Sequence, residues 1–264
     1  MIKYDYYNRE ERAICAHLFR LLHERLDEKE DSPLGQFLAK LNKSGLQYNT
    51  GQRSLDNLKF ENVAIYSEVA IIRDTYQNAK PDVNPFMDDL TRLIMDQIGV
   101  TDCRLFSQLP EPLNNSKKTH PKQIKQKATA MDIPLNESES RVYGSMQGMF
   151  NAKPDMVITI DKFLLVCEAK LTESFDDAQL HRTRNIAQVW ARLLYEDLGF
   201  SEPPVYTVFK LGAATEKPDI RWTDVLEIAE ITYGENDRSR IAIQAAVDLL
   251  IRYPVKKWNE PFSL

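Results

Sequence analysis

The chain has 264 residues, of which 43% are hydrophobic and 28% charged, and a formal net charge of −5. These values suit a soluble globular protein with one large domain or two small ones. They exclude a membrane protein, since no apolar run reaches a bilayer's width, and they disfavour one that coats nucleic acid electrostatically. The three cysteines, Cys15, Cys103 and Cys167, are far apart and form no CxxC pair, so neither a disulfide framework nor a cysteine zinc site is expected. MIKYDYYNREER at the N-terminus has no apolar core or small-residue cleavage site, and a cytoplasmic location is the expectation.

In chain order, Ile14, Leu18, Leu21, Leu22 and Leu26 repeat at helical spacing. Ser32-Pro33 reads as the cap and first position of a second helix. A polar break from Ser44 to Gln52 follows, with Gly45 and Gly51 in it. The apolar period then predicts a long helix from Leu55 to Tyr76, and Asn84-Pro85 opens another that ends near Gly99. DCRLFSQL at 102–109 reads as a strand. Residues 111–130 hold five lysines and one acid and no apolar period, which predicts a loop.

The centre changes character. VITI at 157–160 and FLLVC at 163–167 are short runs of β-formers separated by Asp161-Lys162. Helical period returns from Gln179 to Leu198, with Ile186, Val189, Trp190 and Leu193 on one face. VYTVFKL at 205–211 is a further strand, and helices near 222–233 and 238–252 close the chain. Helices around a few central strands imply an α/β layer fold. The reading divides the chain into a helical N-terminal extension, 1–52, and a catalytic-type domain, 53–264.

If Asp161-Lys162 is a two-residue hairpin loop, Ile160 pairs with Phe163 and, counting outward, Asp155 faces Glu168. Facing residues share one side of a sheet with Cβ atoms about 4.5–5.5 Å apart. Lys170, two positions beyond Glu168, lies on that side too, while Ala169 turns away. Two carboxylates held together repel unless positive charge lies between them. Mg²⁺, with Mn²⁺ as a substitute, is a cation that such oxygen donors suit.

NAKPDMVITIDKFLLVCEAK resembles the motif of the PD-(D/E)XK nucleases, a superfamily that includes type II restriction enzymes, Holliday-junction resolvases and recombination exonucleases. Pro154-Asp155 matches the PD and Glu168-Ala169-Lys170 the (D/E)XK. Pro-Asp also occurs at 81–82 and 218–219, but neither copy leads into a strand hairpin ending in ExK. The resemblance implies a restriction-endonuclease-like core, a central mixed β-sheet flanked by helices. It implies that Asp155, Glu168 and the Ala169 carbonyl bind Mg²⁺ and that Lys170 helps activate the attacking water.

The family usually adds an acid from a preceding helix. Glu68, inward with Ile65, Val69, Ile71 and Ile72 on the predicted wheel, is the candidate; Asp88 and Asp89 compete but fall in a first helical turn. Some members carry a glutamine beside the metal on the helix after ExK, which Gln188 resembles. On the same polar face His181, Arg184, Asn185 and Arg192 follow, the arginines as candidate phosphate contacts. The expected activity is Mg²⁺-dependent hydrolysis of phosphodiesters in DNA, with no membrane partner. The N-terminal helices are a candidate surface for a second copy or a partner subunit. The alternative is a non-catalytic scaffold of the same fold. Walker A, GxGxxG, HExxH and GxSxG patterns are absent.

Overall fold

The computed structural model describes residues 11–51, 54–55, 57–68, 70–79, 82–171, 174–194 and 204–252. The protein is α/β, an open five-stranded mixed sheet with nine α-helices among the described residues. None of those helices is long and apolar enough to cross a membrane. The chain forms two compact units, Met1–Glu68 with Pro154–Arg184 and Pro204–Leu264, and Val69–Lys153 with Asn185–Pro203.

The first unit contains α1 (Glu11–His23), α2 (Pro33–Lys43), β1 (Ala64–Ser67), β2 (Met156–Ile160), β3 (Phe163–Ala169), β4 (Val205–Gly212), β5 (Ile220–Arg221), α8 (Trp222–Thr232) and α9 (Arg238–Arg252). The strands lie in the order β1-β2-β3-β4-β5. β1/β2 and β2/β3 are antiparallel, and β3/β4 and β4/β5 parallel. Every residue of β2 and β3 is buried, which explains their unbroken apolar runs in place of alternation. Met156, Ile158 and Ile160 join Phe163, Leu165, Cys167, Ala169, Phe209 and Leu211 in one core with Leu18, Leu22, Phe37, Leu41, Val225 and Ile243. Helices α1, α2, α8 and α9 therefore cover that face of the sheet. By alternation Val157, Val166 and Glu168 point to the other.

Several sequence expectations hold. Ser32 caps α2, its hydroxyl accepting from the Gly35 N–H at 3.0 Å, with Pro33 first in the helix. Ile160 pairs with Phe163 and Met156 with Cys167, the register inferred from a two-residue loop. Asp161 adopts φ 49° in that loop, and its carboxylate accepts from the N–H groups of Lys59 and Glu61 at 2.7 Å each. Cys15 and Cys167 are buried.

Others are corrected. Of the helix expected from Leu55 to Tyr76 only the last part forms, within Ile71–Asn78. Asn57, Phe60 and Asn62 take positive φ, β1 follows, and Glu68 turns with φ 50°. Ala64–Ser67 has the option of closing the open hydrogen-bonding edge of β2, and strand pairing overrides the helical period. α1 and α2 supply a covering layer of the sheet and share its core. The N-terminal residues 1–10 and the expected end of the central helix, 195–198, lie outside the described residues.

The second unit is helical. It holds α3 (Ile71–Asn78), α4 (Asn84–Ile98), α5 (Ile124–Ala130), α6 (Glu137–Asn151) and, from Asn185 on, the later part of α7 (Asp177–Leu194). α4 stops at Gly99, φ 66°, as expected. Residues 102–109 make no strand. Phe106–Gln108 is a 3-10 turn, and the Ser107 N–H and hydroxyl donate to the Asp88 carboxylate at 2.8 and 2.7 Å. The 111–130 tract is not a loop throughout, since it contains Pro121–Gln123 and α5. At Glu137–Asn151, where the sequence period predicts no element, α6 forms. Its signals were there: the reciprocal Asn136–Glu139 cap and the buried Val142, Tyr143, Met146, Met149 and Phe150. Gly144 and Gly148 hid them, and packing overrode those two glycines.

Candidate functional site

The candidate site lies within the first unit, on the sheet face opposite α1 and α2. Extending the β2/β3 register one step from the Met156–Cys167 pair sets Asp155 opposite Glu168. The Asp155 carbonyl accepts from the Glu68 N–H at 3.2 Å, and its Oδ2 accepts from the Ala169 N–H at 2.8 Å. Asp155 is thus fastened to both neighbouring strands where β2 begins.

Glu168 is buried, only 4% exposed, and among the described residues its hydrogen-bond donors are an amide and a hydroxyl. Gln179 Nε2 donates to its Oε2 at 2.8 Å, and the Thr183 hydroxyl donates to Oε1. Gln179 and Thr183 are four apart on α7 and meet the carboxylate from one helix face. Burial raises the Glu168 pKa, the Thr183 hydrogen bond opposes this, the Asp155 charge adds to it, and Lys170 and Gln179 oppose it again. The outcome is a carboxyl pushed up to about 7. Neutral donors do not replace the water a carboxylate loses on burial.

The Lys170 backbone is held at both ends, its N–H donating to the Leu211 carbonyl at 2.8 Å and its carbonyl accepting from Trp222 Nε1 at 3.0 Å. Lys210 stands beside Glu168 in the parallel β3/β4 register. Its N–H donates to Asp219 at 2.7 Å, and its ammonium lies 5.6 Å from the centre of the Phe175 ring. Burial also raises the Asp219 pKa, against the backbone N–H and charge of Lys210 and the charge of Arg184. A Cβ on Gly212 would come 2.9 Å from the Phe175 ring, so the bare glycine lets that ring pack beside the strand end.

The structure brings Asp155, Glu168, Ala169 and Lys170 together at the strand ends. Glu68 is not on a helix. It follows the end of β1, and its N–H donates to the Asp155 carbonyl. Among the described residues no three His, Cys, Asp or Glu side chains gather closely enough to hold a metal, so Glu68 does not complete a three-carboxylate set. Asp88 is taken up by Ser107, and Asp89 by Arg92 at 2.7 Å. Gln188 belongs to the second unit, where it accepts from Gln97 at 3.1 Å; the glutamine that bonds Glu168 is Gln179. Arg192 lies 3.7 Å from Asp96, and His181 and Arg184 are exposed.

Sequence reasoning missed Gln179, Thr183, Lys210 and Asp219. For the first two the signal was the i, i+4 pair of polar residues flanking the buried Leu180. A Ser–His contact, His17 Nδ1 to Ser239 Oγ at 3.0 Å, is structural, because Ser239 is only 1% exposed and the Arg20 guanidinium also donates to it. Comparisons of the chain with protein-family models, with curated proteins and with solved structures return no match.

Proposed function

We propose that the protein is a metal-dependent nuclease with a restriction-endonuclease-like core, hydrolysing phosphodiester bonds in DNA. The observation that carries this reading is the pairing of Asp155 with a buried Glu168 whose hydrogen-bond donors among the described residues are neutral, with Lys170 two residues on.

The donor set fits Mg²⁺ or Mn²⁺, with two hard carboxylates, partly repelling, at the end of a rigid hairpin. Asp155, Glu168 and the Ala169 carbonyl would hold it. When bound, the ion supplies an acidified water and positive charge against the phosphate oxygens. Gln179 and Thr183 fix the Glu168 plane, so the carboxylate needs no reorganisation. Lys170, a compact charge on an anchored backbone, orients the attacking water and steadies the developing oxyanion.

One observation favours a non-catalytic scaffold instead: both Glu168 oxygens already have protein donors. A carboxylate offers about four lone-pair sites, so two remain. Cleavage of duplex and single-stranded DNA with Mg²⁺ and Mn²⁺, beside thermal melts with each metal, separates the two. Asp155→Asn keeps the acceptor for Ala169 and removes only charge. We expect it to abolish cleavage and the metal-dependent rise in Tm. Lys170→Ala is expected to abolish cleavage and keep that rise. A wild-type protein that cuts nothing and melts alike with and without metal leaves the scaffold reading standing.

A further inference from the structure

Charge in this acidic chain is mostly intermixed, but the second unit contains a departure. From Leu113 to Met131 the chain has Lys117, Lys118, Lys122, Lys125 and Lys127 and no acid, and from Arg141 to Lys153 it again has no acid. The lysine tract is not a solvated loop. Leu113, Thr119, Pro121, Ile124 and Ala128 are buried beneath it. The His120 ring packs against Tyr76 and Phe150 with centroids 5.4 Å away in each case. The Thr119 N–H donates to the Asn115 carbonyl at 2.8 Å, and the Gln123 N–H to that of His120 at 2.8 Å.

Buried anchors alternate with exposed lysines, so Lys117, Lys118, Lys122 and Lys125 stand on a fixed frame. Lys118 is neutralised by Glu111 at 2.7 Å. Among the described residues no carboxylate pairs with Lys117, Lys122 or Lys125. Lys125 lies along α6, its Nζ 3.8 Å from where a Cβ on Gly144 would stand. Holding like charges together on a rigid surface costs self-repulsion, which a polyanion relieves.

We infer that this face of the second unit binds the phosphate backbone of nucleic acid through Lys117, Lys122 and Lys125, without reading base sequence. Naming nucleic acid as the polyanion rests on the nuclease reading; the cationic surface does not. Ammonium groups on flexible stems contact phosphates as point charges, a mode that positions a strand and carries no base code.

The test is fluorescence anisotropy of the full chain with a labelled DNA duplex in EDTA, titrated against salt, so that binding is read apart from chemistry. Combined Lys117→Gln, Lys122→Gln and Lys125→Gln substitutions should weaken binding about tenfold or more and lower the log–log salt slope by about 2–3, at roughly 0.9 per phosphate contact. Gly144→Glu, which sets a carboxylate beside Lys125 on a helix, should weaken it in the same direction, and the triple Lys→Arg variant should retain it. These positions are exposed or helical, and unchanged melts check the fold. Unchanged affinity and slope in the Gln variant, or no binding by wild type, overturns the inference. So does competition by polyglutamate as strong as that of DNA at equal charge, which would mark an acidic protein partner. Lysine-dependent binding without cleavage in Mg²⁺ sustains the surface and sinks the nuclease; cleavage indifferent to the lysines does the reverse.

Discussion

Among the described residues each unit buries one glutamate, and the two are treated in opposite ways. Glu139 in the second unit is 1% exposed and Glu168 in the first 4%. Glu139 meets the Arg104 guanidinium through both oxygens and accepts from the backbone N–H groups of Asn136 at 2.9 Å and Arg104 at 3.3 Å. The Arg104 hydrogen bond, outweighing burial, lowers its pKa. Burial and the Asp155 charge outweigh the Thr183 and Gln179 hydrogen bonds and the Lys170 charge at Glu168, and its pKa rises to about 7. A carboxylate with its cation built in closes a structure. One without is stable as an anion only when positive charge arrives from outside, the condition a binding or catalytic site has to create.

The largest expected effect breaks the satisfied member. Arg104→Ala leaves Glu139 buried without its cation and should destabilise the protein by about 3–5 kcal/mol, read by urea unfolding at pH 7. An effect below about 1 kcal/mol would mean that the backbone donors suffice and that the contrast between the two glutamates is overstated.

Next comes the frustrated member, with the opposite sign. A carboxyl whose pKa rises on folding holds a proton in the native state that the unfolded chain has lost. Glu168 therefore makes the metal-free protein less stable as pH climbs from about 4.5 to about 7. Glu139 runs the other way, its contribution lost as pH falls below the ordinary carboxylate range. Glu168→Gln should accordingly stabilise the metal-free protein by up to about 3 kcal/mol at pH 8 and by little near pH 4, while ending cleavage. Its amide can accept from Gln179 and donate to Thr183, so packing is kept. Parallel pH–stability curves for wild type and variant would refute the contrast.

The smallest effects compare glycines. Gly212→Ala presses a methyl against Phe175 and should cost about 1 kcal/mol beside the candidate site. Gly148→Ala meets nothing within 4 Å on α6 and should stabilise the protein by about 0.5–1 kcal/mol. Thermal melts of both rank them, and equal shifts would deny that Gly212 is held by its neighbours.

The legible part of the sequence was local. A cap at Ser32-Pro33, a stop at Gly99 and a two-residue loop at Asp161-Lys162 each follow from a few adjacent residues. From the loop alone the pairing of Asp155 with Glu168 could be counted. Segments whose state depends on distant partners were not legible. Ala64–Ser67 is a strand because β2 offers it an edge, and Glu137–Asn151 is a helix despite two glycines because Val142, Tyr143, Met146 and Phe150 find a core. The same division runs through the candidate site. Sequence spacing determined that Asp155, Glu168 and Lys170 share a face, since strand period and hairpin register are backbone geometry. Only the tertiary structure decided that Gln179 and Thr183 grip Glu168, that Gln188 does not, and that Glu68 turns at a strand end. Helix rotation and chain reversal answer to packing across the whole fold, which no short stretch of residues encodes.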